Sequence, residues 1–150
     1  MDNYLRLTLY TDGDGTAEVR AAIQCNGFCG NSAAWFGIKQ LEEFCEQLLT
    51  YPLPTEGLPP LQGGFWSRAQ RGQLDQLLVS MRIYPVGLRG AVGCFVTLRT
   101  PLNDGDATKV ASVVEVELRT SYQELSVFSA QLKQLAQSQA AEAILRGVVI

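Results

Sequence analysis

The feature that most constrains this chain is a period-two alternation of apolar and polar residues that recurs along its length. Leu5, Leu7 and Leu9 alternate with Arg6 and Thr8, and Val19, Ala21, Ile23 and Cys25 alternate with Arg20 and Gln24. The same pattern returns in Leu77, Val79, Met81 and Ile83, in Val92, Cys94, Val96 and Leu98, and in Val114, Val116 and Leu118. Successive side chains of a strand point to opposite faces, so each stretch has one face to bury and one to wet. Strands of this kind belong to antiparallel sheets covered on one side.

Turn chemistry fixes how some of them pair. Asn26-Gly27 is a strong hairpin signal, because both positions of its two-residue turn require positive φ. It pairs Cys25 with Phe28, both pointing inward, and opens a third strand from about Phe28 to Phe36. Asp12-Gly13-Asp14-Gly15 and Asn103-Asp104-Gly105-Asp106 read as further hairpin turns.

Two stretches change to helical spacing. Ile38, Leu41, Cys45, Leu48 and Leu49 lie on one stripe, and Pro52 closes that helix. Ser121 with Glu124 forms a capping box ahead of Leu125, Phe128, Leu132 and Leu135. Between the helices, Tyr51 to Gly64 is a proline- and glycine-rich connector, and Phe65 to Gln73 has room for a short strand. Beyond Ser138 the helical phase breaks, which leaves residues 138–150 as a short helix or a strand. The fold class expected is α+β. It is a single domain, residues 1–150, with an antiparallel sheet of six to seven strands in two meanders and two helices packed on one face. A chain of 150 residues buries roughly 70% of its unfolded surface, enough for a core without staples.

Composition narrows the function classes. The net charge is −3, without the concentrated basic excess of a nucleic-acid binder, so no nucleic-acid partner is expected. No apolar run approaches the ~18 residues of a membrane span, and Met1-Asp2-Asn3 does not open a signal peptide. A cytoplasmic protein with reduced thiols and no membrane association is expected.

Histidine is absent, which removes Ser–His and Cys–His dyads and histidine metal sites. Cys25 and Cys29 suggest a metal or redox pair, but the hairpin register places them on opposite faces of the sheet. Cys45 and Cys94 fall on inward positions, where cysteine acts as a small hydrophobe. The Asp12–Gly15 turn resembles a fragment of a calcium loop, yet its glycine comes too early and no helices flank it. Glu115 and Glu117 stand about 7 Å apart on one strand face. A glycosidase needs its two carboxyls on opposite sides of a sugar, so cross-strand pairing with arginine is the expected role. No metal, no cofactor and no catalytic residue follow, and the chain reads as a non-enzyme.

What remains is the outward face. It should present Arg6, Glu18, Arg20, Gln24, Arg82, Arg99, Glu115, Glu117 and Arg119. Arginine forks bind carboxylates bidentately and are favoured at interfaces. Arg6, Arg20, Arg82, Arg99, Glu115, Glu117 and Arg119 are therefore candidate partner-binding residues. Trp66, beside Phe65 and Arg68 in a glycine-flanked loop, is another. A second reading is a small-molecule or lipid-binding domain. Its cavity would lie between sheet and helices, above the small inward residues Ala21, Gly30, Ser32 and Ala34. Open sheet edges also allow an edge-strand dimer.

Several pieces together carry a resemblance. They are Trp35-Phe36, then Leu41, Phe44 and Leu48 leading to Tyr51-Pro52-Leu53; Arg82-Ile83-Tyr84-Pro85; and Thr120-Ser121-Tyr122-Gln123-Glu124-Leu125 running into Phe128 and Leu132. In these the chain resembles the small α+β immunity proteins, and related uncharacterised proteins, of bacterial polymorphic and contact-dependent toxin systems. The resemblance implies a protein that binds a cognate toxin and blocks it without catalysis. It implies no particular toxin-contacting positions.

Overall fold

The computed structural model describes residues 2–148. The elements run β1 (Tyr4–Thr11), β2 (Thr16–Cys25), β3 (Phe28–Gly37), α1 (Ile38–Gln47), β4 (Leu61–Trp66), β5 (Leu74–Val86), β6 (Ala91–Arg99), β7 (Val113–Ser121), α2 (Tyr122–Ala136) and β8 (Ala143–Arg146). The strands form two antiparallel sheets of four, ordered β3-β2-β1-β8 and β4-β5-β6-β7. This corrects the expectation of one six- or seven-stranded sheet with helices on one face. Both meanders exist, but each occupies its own sheet. Alternation says which side of a strand is buried, not what buries it. Here the two apolar faces share one core, as layers must.

Each helix is a crossover between the sheets. α1 follows β3 and leads through the connector to β4, while α2 follows β7 and leads back to β8 beside β1. The segment after Ser138 therefore contains a strand, and residues 149 and 150 of it lie outside the described residues. Ser129 Oγ donates to the Cys45 carbonyl at 2.7 Å and joins the two helices. Of the α1 stripe Leu41, Cys45 and Leu48 are buried as expected and Phe44 joins them, whereas Leu49, just past the end of the helix, is 54% exposed; Leu125, Phe128, Leu132 and Leu135 of α2 are all buried. Only half of the capping box forms, with Ser121 Oγ accepting from the Glu124 N–H at 3.1 Å.

The hairpin has the predicted geometry. Asn26 and Gly27 have φ of 54° and 87°, and Cys25 pairs with Phe28. Phe28, expected inward, is 66% exposed. Its partner Cys25 is buried, and Phe28 instead borders a shallow surface depression with Glu115, Val116, Glu117 and Arg119. The Asn103–Asp106 turn is present, with the Asp106 N–H bonded to the Asn103 carbonyl at 3.1 Å, within the longer connector of residues 100–112 that joins the antiparallel pair β6 and β7.

How the sheets meet decides the shape of the surface. Gly63, Val79, Leu98 and Val114 form one row across the second sheet. Strand β3 approaches all four strands of that sheet, so it crosses them, as in orthogonal sheet packing. Gly30 lies against Val114, and Ala34 and Phe36 lie against Gly63. A Cβ on Gly63 would fall 2.6 Å from the Phe36 ring. Ser32 Oγ donates to the Arg99 carbonyl at 2.6 Å at the same crossing. The small inward residues Gly30, Ser32 and Ala34 therefore serve a close sheet-on-sheet approach. The second sheet packs on Gly30 and Ala34, while Ala21, Ser32 and Ala34 also border a surface groove.

The C-terminal segment ties the sheets together. Thr120 Oγ donates to the Arg146 carbonyl at 2.8 Å, the Gly147 N–H bonds Asn3 O, and the Val148 N–H bonds Arg119 O. The Gln131 side chain accepts from the Ile144 N–H at 2.8 Å and occupies part of the β8 edge. Among the described residues no helix is long and apolar enough to cross a membrane.

Candidate binding groove

With two sheets packed face to face, the outward residues separate into two groups. Arg6 and Arg20 stand on the first sheet, while Arg82, Arg99, Glu115, Glu117 and Arg119 stand on the second. The expected single partner-binding face is thus two faces on opposite sides of the core. Trp66, at the end of β4, falls near the first group.

On the second sheet several of the polar residues bond one another. Gln62, Ser80, Thr97 and Glu115 form one row, with Gln62 bonded to Ser80 at 3.5 Å and Thr97 to Glu115 at 3.4 Å. Glu117 accepts from the Tyr84 hydroxyl at 2.5 Å and from Arg119 Nε. Tyr84 reaches it by lying over Gly93, where a Cβ would fall 2.6 Å from the ring. The Tyr84 bond, then that from Arg119, holds the Glu117 carboxyl below the usual range. Burial, reinforced by Glu117, pushes the Tyr84 phenol upward.

Cross-strand pairing of Glu117 with arginine is therefore corrected. Its arginine, Arg119, is two residues along the same strand, and its cross-strand partner is a tyrosine. Directly opposite Glu117 stand Phe95 and then Arg82, and Arg82 makes no ion pair among the described residues. A shallow depression of about 500 Å³ beside Glu117 is lined by Glu56, Arg82, Tyr84 and Phe95.

The first sheet is arranged differently. Its outward rows are Arg6–Ala22–Asn31, Thr8–Arg20–Ala33 and Tyr10–Glu18–Trp35. Ala22 and Ala33 form a low floor. Gly64 and Phe65 of β4, Leu78 of β5 and Thr100–Pro101 beyond β6 form a ledge along its other side. Floor and ledge enclose a groove of about 790 Å³. Arg6 and Arg20 stand on its floor side, and Trp35 and Phe65 form aromatic walls that are 45% and 44% exposed. Arg20 Nε pairs with Glu18 at 2.9 Å on its own strand. The Arg6 guanidinium lies 5.8 Å from the Tyr4 ring centroid and, among the described residues, has no carboxylate partner.

Trp66, 49% exposed, shares with Trp35 a second depression of about 470 Å³ that reaches Asp12 and Asp14. These are the only two tryptophans of the chain. Asp14 acts there as a turn residue, accepting from the Thr16 N–H at 3.0 Å and Thr16 Oγ at 2.6 Å, which lowers its pKa. Trp35 was not among the residues singled out for binding. Its outward phase, out of step with inward Ala34 and Phe36, was the signal available.

The thiols are dispersed. Cys25, Cys45 and Cys94 are buried and Cys29 is exposed. Burial raises the Cys45 thiol to about 11 and the Cys94 thiol to about 12, which removes thiolate reactivity near neutral pH. Among the described residues no three metal-donor side chains are grouped to hold an ion. Comparison of the chain with protein-family models, with curated proteins and with solved structures finds no match in any of the three.

Proposed function

We propose that this chain is a protein-binding domain without catalytic chemistry of its own, and that its partner docks in the arginine and aromatic groove of the first sheet. One observation carries the reading: Trp35, Phe65, Arg6 and Arg20 converge, exposed, on one concave corner. Tryptophan and arginine are the residue types that dominate binding hot spots, and they act most strongly when a partner desolvates them. The opposite face offers less, because Glu117, Tyr84 and Arg119 already bond one another. The resemblance to immunity proteins makes a bacterial toxin the partner of first choice. That choice rests on the core and cap residues quoted for it and not on the groove.

The test compares the two faces. A partner captured from the source cells is purified and titrated by calorimetry against the full chain. The expected result is 1:1 binding weakened about a hundredfold by Trp35→Ser with Phe65→Ser, clearly weakened by Arg20→Glu and unchanged by Arg82→Glu. Binding abolished by Arg82→Glu and untouched by the groove changes would move the site to the second sheet and overturn the proposal.

A further inference from the structure

We infer that the groove accepts an extended segment with two carboxylates spaced at i and i+2, followed at i+4 by a large apolar residue. This rests on the reading of the groove as the docking surface and adds the chemistry of what docks.

Charge gives the sign. The chain carries a net charge of −3, yet this groove is lined by Arg6 and Arg20 against Glu18 alone. Glu18 engages Arg20 only through Nε, so among the described residues the terminal guanidinium nitrogens of both arginines make no hydrogen bond. Free guanidinium forks match carboxylates bidentately.

Register gives the spacing. Arg6 is opposite Ala22 and Arg20 is opposite Thr8, so the two arginines are diagonal neighbours across β1 and β2. Diagonal neighbours stand about 7–8 Å apart. Alternate residues of an extended segment are about 7 Å apart and point the same way. A carboxylate at each of two alternate positions therefore meets one arginine each. One further step of two residues along the groove reaches the row of Trp35 and Glu18. There Glu18 repels a third acid, and Trp35 with Phe65 offers an apolar wall, so the third side chain is large and apolar.

The experiment uses the full chain and the emission of Trp35, with Trp66→Phe removing the other indole. The ligand probe is the capped peptide Ser-Glu-Ser-Glu-Ser-Leu-Ser. The controls are a peptide of the same composition with adjacent glutamates, one with lysine for glutamate, and citrate. The expected result is a saturable emission change with the spaced acidic peptide. Affinity should be at least fivefold weaker for the adjacent-glutamate and lysine peptides, and lost in Arg6→Gln with Arg20→Gln. Equal binding of the lysine peptide overturns the acidic pattern and leaves the groove as a peptide site. An equal response to citrate overturns it in favour of a small-anion site. If no peptide alters Trp35 emission, and Trp35→Ser leaves binding of the purified partner intact, the inference and the proposed function fall together.

Discussion

The two outward faces of this protein have similar composition and opposite character. On the second sheet, Glu117 takes bonds from Tyr84 and Arg119, and a polar row crosses all four strands from Gln62 to Glu115. On the first sheet, Arg6 and Arg20 stand over alanines, with exposed aromatics beside them. Arginine and glutamate content alone does not distinguish a face whose side chains bond one another from one whose guanidinium groups are left largely open. What separates them is the residue in the neighbouring strand. Gly93 lets Tyr84 cross to Glu117, whereas Ala22 and Ala33 offer the arginines no cross-strand partner, and Arg20 bonds only Glu18 of its own strand.

The largest break in that comparison comes from filling each floor. Gly93→Val would collide with the Tyr84 ring and displace it from Glu117, costing about 1–3 kcal/mol in urea denaturation. Ala33→Val on the first sheet should change stability by no more than about 0.5 kcal/mol and act on ligand binding instead. Removing one hydroxyl is the next test. Tyr84→Phe should cost about 1 kcal/mol, the usual net value of such a bond.

A smaller effect follows from pH. Glu117 is held below the unfolded glutamate value near 4.3. Its contribution is therefore present above that pH and is lost as pH falls through the lower folded value. Acid titration of stability should be steeper in the wild type than in Glu117→Gln, by a fraction of a kcal/mol, because the side chain is 36% exposed and screened. At the alkaline end the sign reverses for Tyr84. Its raised phenol should ionise above the ordinary phenol value near 10, as followed by the loss of a high-pH tyrosinate absorbance step in Tyr84→Phe, and the stability it contributes is lost as pH rises beyond about 10. The smallest effect is expected on the first sheet, where Arg20→Gln should move stability by no more than about 0.5 kcal/mol. A large loss there would mean that the groove arginines are structural after all.

Much of the local architecture was legible from the residues. The phases of β1, β2, β6 and β7, the Asn26–Gly27 turn, the α2 stripe and most of the α1 stripe appear where spacing placed them, while in β5 a bulge opposite Gly63 and Gly64 puts Leu78 in the core in place of Leu77. β4 was half hidden because Gly63 and Gly64 interrupt its alternation, and those same glycines admit Phe36 and a register shift. The site was legible only in part. Of the expected partner-binding residues, Arg6 and Arg20 line the groove, Trp66 lies in a neighbouring depression, and five stand on the other sheet; Trp35 was not among them. A small inward residue is the ambiguous element. Gly30 and Ala34 are equally suited to a cavity, a helix or a crossing strand, and only the neighbour decides.

The sequence by itself determined the buried side of most strands, the Asn26–Gly27 turn, and that Cys25 and Cys29 part company. Those are consequences of a two-residue period and of local φ preferences, which any short stretch carries within itself. The tertiary structure alone decided that the strands form two sheets, that β3 crosses the second, and that the outward arginines divide between two faces. Ladder partners and sheet crossings depend on contacts between residues far apart in the chain, and a local period holds no record of them. The groove lies between the floor of the first sheet and the ledge of the second. Its chemistry was written in Arg6, Arg20 and Trp35, and its shape was not.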